Sequence, residues 1–176
     1  MLFTLVLSLA GCTQKIWFRQ FYLAEETPGR DSGGYCVFDD MRIWPAVSVD
    51  PLSYEPITDS AFYVKFYVLP TDTSALGNAV FVETFTIDQV TIVEAVSGDT
   101  LMFADSCRVE VVKWATYNRK EFFFPDVVVG SKIESITCEL RVSYDNTKGE
   151  SVSQSLQLAM IRLDGWERVL HGRWQH

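Results

Sequence analysis

The sequence predicts an all-β protein with an immunoglobulin-like antiparallel β-sandwich, and three observations lead to this prediction. About eight short segments alternate apolar and polar residues, which is typical of strands buried on one face. Turn-forming residues separate these segments at regular spacing. No run of ten or more residues has a helical period of 3.6. A lipocalin-like closed barrel is the alternative fold.

Composition is that of one folded domain with a sizeable core. The chain has 176 residues, of which 48% are hydrophobic and 14% aromatic, so a disordered protein is excluded. The net charge of -8 argues against nucleic acid or anionic lipid as a partner, because such partners require a basic face. Most acidic residues of the first half lie between Glu25 and Asp59. We therefore expect residues 12–60 to form a tether with an acidic, loop-rich segment, and residues 61–176 to form the sandwich.

The first dozen residues predict a signal. The apolar run from Leu2 to Ala10 would span only ~14 Å as a helix, too short to cross a bilayer. It has the length of the hydrophobic region of a secretion signal. No Lys or Arg precedes Cys12, which leaves open a true start upstream of Met1.

The residues that end this run, Leu9-Ala10-Gly11-Cys12, resemble the lipobox of bacterial lipoproteins. The resemblance implies that residues 1–11 are a cleaved signal and that Cys12 carries the lipid that anchors the protein to a membrane. It also implies a cell-envelope location. Thr13 is not the Asp associated with inner-membrane retention, so in a diderm source the outer membrane is the expected site.

Residues 13–23 combine aromatic side chains with Lys15 and Arg19. Such a mixture is typical of a membrane–water interface, where Trp and Tyr rings settle among the headgroups. A first β-strand docked on the domain, with Trp17, Phe21 and Leu23 on one side, explains the pattern equally well.

The following segments are assigned in chain order. Residues 24–34 are expected to be a loop, and residues 41–49 an edge strand, because Pro45 cannot donate to a ladder. From Ala61 onward, Phe62, Val64 and Phe66 alternate with polar or amphipathic residues. Further strands are predicted at 80–87, 90–96, 101–103, 108–115, 121–129 (with a bulge or an edge at Pro125), 133–144 and 152–163. The last two strands form the clearest hairpin, and residues 164–176 are either a terminal strand or a frayed end.

Besides Cys12 the chain has three cysteines, Cys36, Cys107 and Cys138. Cys138 shares the apolar face of its predicted strand with Leu140, so we expect it to face the core. A disulfide between Cys107 and Cys138 would pin two strands, although a free buried thiol is as ordinary.

The sequence carries no catalytic signature. Its histidines, His171 and His176, both lie in the last six residues, and phosphate-binding or nucleophile motifs are absent. The pair Asp39-Asp40 is interpreted as part of a loop or a weak calcium ligand set. We therefore expect no enzyme, metal or cofactor.

Aromatic residues give the other functional hypothesis. Tyr63, Tyr67 and Trp114 are candidates for an exposed surface that binds a glycan or an envelope protein. The alternative is that such rings cover a second buried face against the N-terminal segment. The leading hypothesis is a cell-envelope lipoprotein whose sandwich serves binding or assembly. The alternative is a secreted or periplasmic carbohydrate-binding or hydrolytic protein.

Overall fold

A computed structural model describes residues 13–39, 41–49, 60–71, 84–114, 117–146 and 148–170. Ten strands are assigned in these ranges, and every pairing between them is antiparallel. They are β1 (Thr13–Leu23), β2 (Cys36–Phe38), β3 (Met41–Ser48), β4 (Ser60–Pro70), β5 (Thr86–Glu94), β6 (Thr100–Ala104), β7 (Arg108–Trp114), β8 (Tyr117–Val129), β9 (Ser135–Asp145) and β10 (Ser151–Leu170).

The strands form one open sheet in the order β6-β5-β9-β10-β1-β3-β4-β8-β7, with β2 attached to β3. One buried cluster includes side chains from both halves of this order, and β6 lies close to β8. The sheet therefore folds over on itself and packs as a sandwich around one core. The predicted all-β, sandwich-like class is confirmed. Its immunoglobulin-like type stays a prediction, and the described sheet has two ends, unlike a closed barrel.

Strand β1 lies inside the sheet. It pairs with β10 from Thr13 to Leu23 and with β3 at Gln20 and Phe21. Of the two interpretations of this segment, the docked strand is confirmed, with Phe21 and Leu23 buried in the core. The sheet thus extends across the predicted boundary at residue 60, because three strands precede that boundary.

Proline positions agree with the local pairing. Strand β3 is an interior strand, but β2 covers it only from Met41 to Ile43 and β1 only at Val47 and Ser48. Pro45 falls in the gap between these partners, so its missing N–H costs no ladder bond. The expected edge strand is therefore an interior strand with a local gap on one side.

Two bulges adjust the register of the sheet. At Pro125 and Asp126, two residues of β8 stand opposite one residue of β4, which confirms the bulge predicted there. A second register shift lies between Ile87 and Gln89. Of the strand predicted at 80–87, residues 80–83 lie outside the described residues, and Thr84 and Phe85 precede β5. Thr86 and Ile87 belong to β5, which continues past Asp88 into the second predicted strand, because a single extra residue breaks the alternation without ending the pairing.

The core is built mainly from alternating residues of β4, β8 and β9. Phe62, Val64 and Phe66 are buried, as are Cys138 and Leu140 on the predicted apolar face of β9. The hairpin of β9 and β10 is confirmed, and β10 continues to Leu170 as a terminal strand.

The three described cysteines are free thiols, so the disulfide considered between Cys107 and Cys138 is not formed. Cys138 lies in the core with its Sγ 3.6 Å from the Met160 Sδ. Full burial raises the pKa of this thiol to about 12, so it behaves as a small apolar side chain.

Candidate functional site

The outer face of β3 and β4 carries a row of stacked rings. Trp44 and Tyr67 are cross-strand neighbours, and their ring centroids are 5.2 Å apart with 29° between the planes. Tyr35, from the preceding loop, adds a third ring 6.1 Å from Trp44. We call Tyr35, Trp44 and Tyr67 the aromatic ladder. Trp44 is 42% exposed, so the ladder presents an aromatic surface to solvent.

Charged side chains continue the row onto β8. The guanidinium of Arg119 lies 4.8 Å from the centre of the Tyr67 ring, a cation–π distance. Arg119 also donates through Nε to the Glu121 carboxylate at 3.0 Å, and Lys65 Nζ lies 3.6 Å from the other carboxylate oxygen. Glu121 is only 5% exposed. These ion pairs hold both cations against the ladder.

A shallow hollow of about 700 Å³ adjoins this row. Six of its lining residues are Tyr63, Lys65, Cys107, Arg108, Phe123 and Asp126. Lys65 Nζ and the Arg108 guanidinium lie 4.3 Å and 4.1 Å from the centre of the Phe123 ring. The β8 bulge provides Asp126 at one rim. The hollow thus combines an apolar floor with cations and one carboxylate.

The thiol of Cys107 belongs to this hollow. Partial burial raises its pKa, and the positive charge of Lys120 opposes that rise. Lys120 itself reaches across the sandwich and donates from Nζ to the Phe85 carbonyl at 2.8 Å.

The predicted aromatic residues are distributed over this region. Tyr67 lies in the ladder and Tyr63 lines the hollow. Trp114 ends β7, and its side chain lies outside the described part of the chain. The sequence did not show that Trp44 stacks on Tyr67, since that contact depends on the register of β3 against β4. The ring that stacks on Tyr67 is Trp44 of β3, which is itself 42% exposed.

Asp39, which was considered as a calcium ligand, lies in a surface turn. Asp39 has φ of 46° in the turn between β2 and β3, a conformation that Asp tolerates. Its carboxylate accepts a hydrogen bond from the Tyr144 hydroxyl, which also accepts one from Gln154 at 3.2 Å. Asp39 therefore ties a surface turn to the end of β9. Asp40, His171, His176 and Cys12 lie outside the described residues.

The contact between Tyr144 and Asp39 predicts a pH-dependent stability. Burial and the Asp39 carboxylate raise the pKa of Tyr144 to about 12, because both disfavour the phenolate. The stabilisation that comes from the neutral Tyr144 phenol is complete below about pH 10, the pKa of tyrosine in the unfolded chain. It is lost as the pH rises toward 12. Tyr144→Phe should cost about 1–2 kcal/mol at pH 8 through lost hydrogen bonds. At pH 11 the free energies of unfolding of wild type and Tyr144→Phe, measured with urea, should differ by about 1 kcal/mol less than at pH 8.

A control isolates the role of the charge. Asp39→Asn keeps the turn conformation and a hydrogen-bond acceptor for Tyr144, so its alkaline decline should be shallower than that of wild type. Equal pH profiles for wild type and Tyr144→Phe would contradict the prediction.

No protein-family profile, curated protein or solved structure matches this chain. Across the ranges that the structure describes, no helix has the length and apolar character needed to cross a bilayer.

Proposed function

We propose that this protein is a lipid-anchored cell-envelope protein whose β-sandwich binds a partner at the membrane surface. The anchor is the thiol of Cys12, which follows Leu9-Ala10-Gly11 at the end of an apolar run. Strand β1 begins at Thr13, the next residue. An anchor at Cys12 therefore holds the domain against the bilayer, with no flexible tether between them. In a diderm source the proposed location is the outer membrane.

Membrane fractionation with intact mass spectrometry tests the anchor. Wild type should sediment with membranes and carry acyl mass on Cys12, whereas Cys12→Ala should be released almost completely. Two or three acyl chains bind essentially permanently because each buried CH₂ contributes about 0.8 kcal/mol. Wild type that is as soluble as the variant and lacks acyl mass would refute the anchor.

The aromatic ladder is the proposed binding surface, and its exposed Trp44 is the observation that carries this assignment. Aromatic faces and edges suit the apolar surfaces of sugar rings, while neighbouring charged groups bond hydroxyls. Lys65, Arg108 and Asp126 supply such groups in the adjoining hollow. We therefore propose a glycan of the envelope as the preferred ligand class. A partner protein is the second candidate, because exposed Trp and Arg are also typical of protein interfaces.

Binding to purified cell-wall glycans, measured by co-sedimentation, tests the ladder. Trp44→Ala should weaken binding about tenfold, since a lost ring contact is worth about 1 kcal/mol or more. Phe103→Ala is the matched control, because Phe103 is a 60% exposed aromatic residue on β6, away from the ladder. Equal losses in both variants would contradict a site at Trp44. Capture of an envelope protein in place of glycan would favour the second candidate.

A further inference from the structure

The end of β1 nearest the anchor forms a two-stranded ribbon with β10. From Phe18 back to Thr13, β1 pairs with β10 alone among the described strands. Strand β10 likewise leaves β9 after Ile161 and continues beside β1 to Leu170. We call residues 13–23 and 160–170 the anchor ribbon.

One face of the anchor ribbon is apolar and exposed. Side chains alternate between the two faces of a strand, and Phe21 and Leu23 point into the core. Phe18 and Tyr22, which lie an odd number of residues from them, are therefore on the opposite face. Ile161 stands opposite Tyr22, and Leu163 stands opposite Gln20 on that same face. Ile161 and Leu163 are 50% and 49% exposed, and Tyr22 is 40% exposed. These three side chains and the half-buried Phe18 form one apolar patch that Gln20 and Ser135 border, whereas Ile16, further along the same face, is buried.

Gly165 contributes to the shape of this patch. It stands opposite Phe18, and a methyl group at position 165 would overlap the Phe18 ring. The far end of the Phe18 ring therefore occupies the space that a side chain at position 165 would need.

The other face of the anchor ribbon is charged and firmly held. Arg19 donates through two nitrogens to the Asp164 carboxylate at 2.9 Å and 3.0 Å. Arg162 donates to the carbonyls of Ser131 and Ile133, each at 2.7 Å. These bonds tie the ribbon to the turn between β8 and β9. This face therefore combines the buried Phe21 and Leu23 with the Arg19–Asp164 ion pair, and it lies opposite the apolar patch.

Near the anchored end, a cation lies between two indole rings. Trp17 and Trp166 are cross-strand partners, and Lys15 Nζ lies 4.2 Å from the ring centre of each. Lys15 and Trp17 share the face of Arg19 and Phe21, opposite the apolar patch, and Trp166 is 48% exposed there. At this end the second face of the ribbon therefore also carries Trp and Lys, residue types enriched where protein meets the headgroup layer. This cluster begins only three residues after Cys12.

We propose that the apolar face of the anchor ribbon lies on the lipid bilayer, so that the ribbon is a membrane-contact surface beside the acylated cysteine. This inference rests on the proposed anchor. Leu163 stands opposite the eighth residue after Cys12, a reach of up to ~26 Å along a strand. The headgroup layer of one leaflet is only ~5–8 Å thick. The ribbon therefore runs along the membrane surface, with Phe18, Tyr22, Ile161 and Leu163 toward the acyl chains.

Spin-label accessibility in the full lipidated protein tests this orientation. A nitroxide is attached at Leu163→Cys in a Cys107→Ser background, since Cys36 and Cys138 are buried. The protein is placed in phosphatidylcholine–phosphatidylethanolamine vesicles, which remove electrostatic attraction to anionic lipid. Val128→Cys on β8, where Val128 is highly exposed, is the matched control. We expect the label at 163 to be several-fold more accessible to oxygen than to a water-soluble nickel complex, and the label at 128 to show the opposite.

A second measurement uses the unanchored protein. Cys12→Ala should still float weakly with the same vesicles, and adding Leu163→Asp should lower that partition about tenfold, whereas Val128→Asp should not. An acylated Cys12 with a water-exposed label at 163 would overturn the ribbon contact alone. An unmodified Cys12 with an oxygen-accessible label would overturn the anchor and support the contact. Shielding of position 163 from both reagents would indicate a second copy on this face and would also overturn the proposal.

Discussion

Phe85→Ala is expected to lower the free energy of unfolding by about 4 kcal/mol, which is a large fraction of the stability of a single domain. Phe85 is fully buried just before β5. Its ring centre lies 5.9 Å from that of Phe122 on β8 and 6.0 Å from that of Tyr144 on β9. It therefore joins strands that are far apart in the order of the sheet. Removing it leaves a cavity where the two halves of the sandwich meet.

Phe103→Ala is the matched control for this loss. The same atoms are removed from a ring that is mostly exposed on β6, so the cost should be under about 1 kcal/mol. Urea unfolding followed by circular dichroism measures both variants, with the slope of the transition as a check on two-state behaviour. Similar unfolding midpoints for the two variants would show that the packing of the two halves of the sandwich does not depend on Phe85.

Glu121→Ala is expected to cost about 2–3 kcal/mol, the second largest effect. The carboxylate is buried beside Lys65 and Arg119, so its removal leaves two partly buried cations without their main partner. Glu121→Gln keeps the shape and one acceptor, and it should lose about half as much. Thermal and urea unfolding at neutral pH measure the difference.

The neighbouring strand offers a control of the same chemistry. Glu110 stands opposite Glu121 on β7 and pairs with Arg108, but this pair is largely exposed. Glu110→Ala should therefore change stability by under about 1 kcal/mol. An equal loss in both variants would contradict the role given to burial.

Glu121→Ala should also weaken the glycan binding proposed for the ladder. Arg119 loses the carboxylate that holds it over Tyr67, so the ring becomes freer to move. Reduced glycan binding in a variant that remains folded would connect this ion pair to the aromatic surface.

Local patterns were sufficient to predict much of the fold. The alternation around Phe62, Val64 and Phe66 gave both the strand and its buried face, and the same logic placed Cys138 in the core. Pro125 was predicted to mark a bulge or an edge because it cannot donate to a ladder, and the strand has a bulge there. These features depend on neighbours within a few residues, which the sequence displays directly.

Features that depend on pairing between distant residues could not be predicted in this way. The position of β1 between β10 and β3 joins residues near opposite ends of the described chain. The stack of Trp44 on Tyr67 requires a specific register, and a shift of one residue would turn either ring to the other face. The apolar face of the anchor ribbon likewise arises only when Leu163 is placed beside Phe18 and Tyr22.

The interior position of β1 also determines how the domain bears mechanical load. A partner that pulls the domain away from the membrane pulls β1 against its neighbours, because the proposed anchor is attached one residue before that strand. The eleven residue pairs between β1 and β10 then share a force directed along the strands, and their hydrogen bonds must yield together. A terminal edge strand peeled from its end would release its bonds one after another. With the proposed anchor at Cys12, the paired β1 and β10 would therefore resist a pull on the domain along the strands.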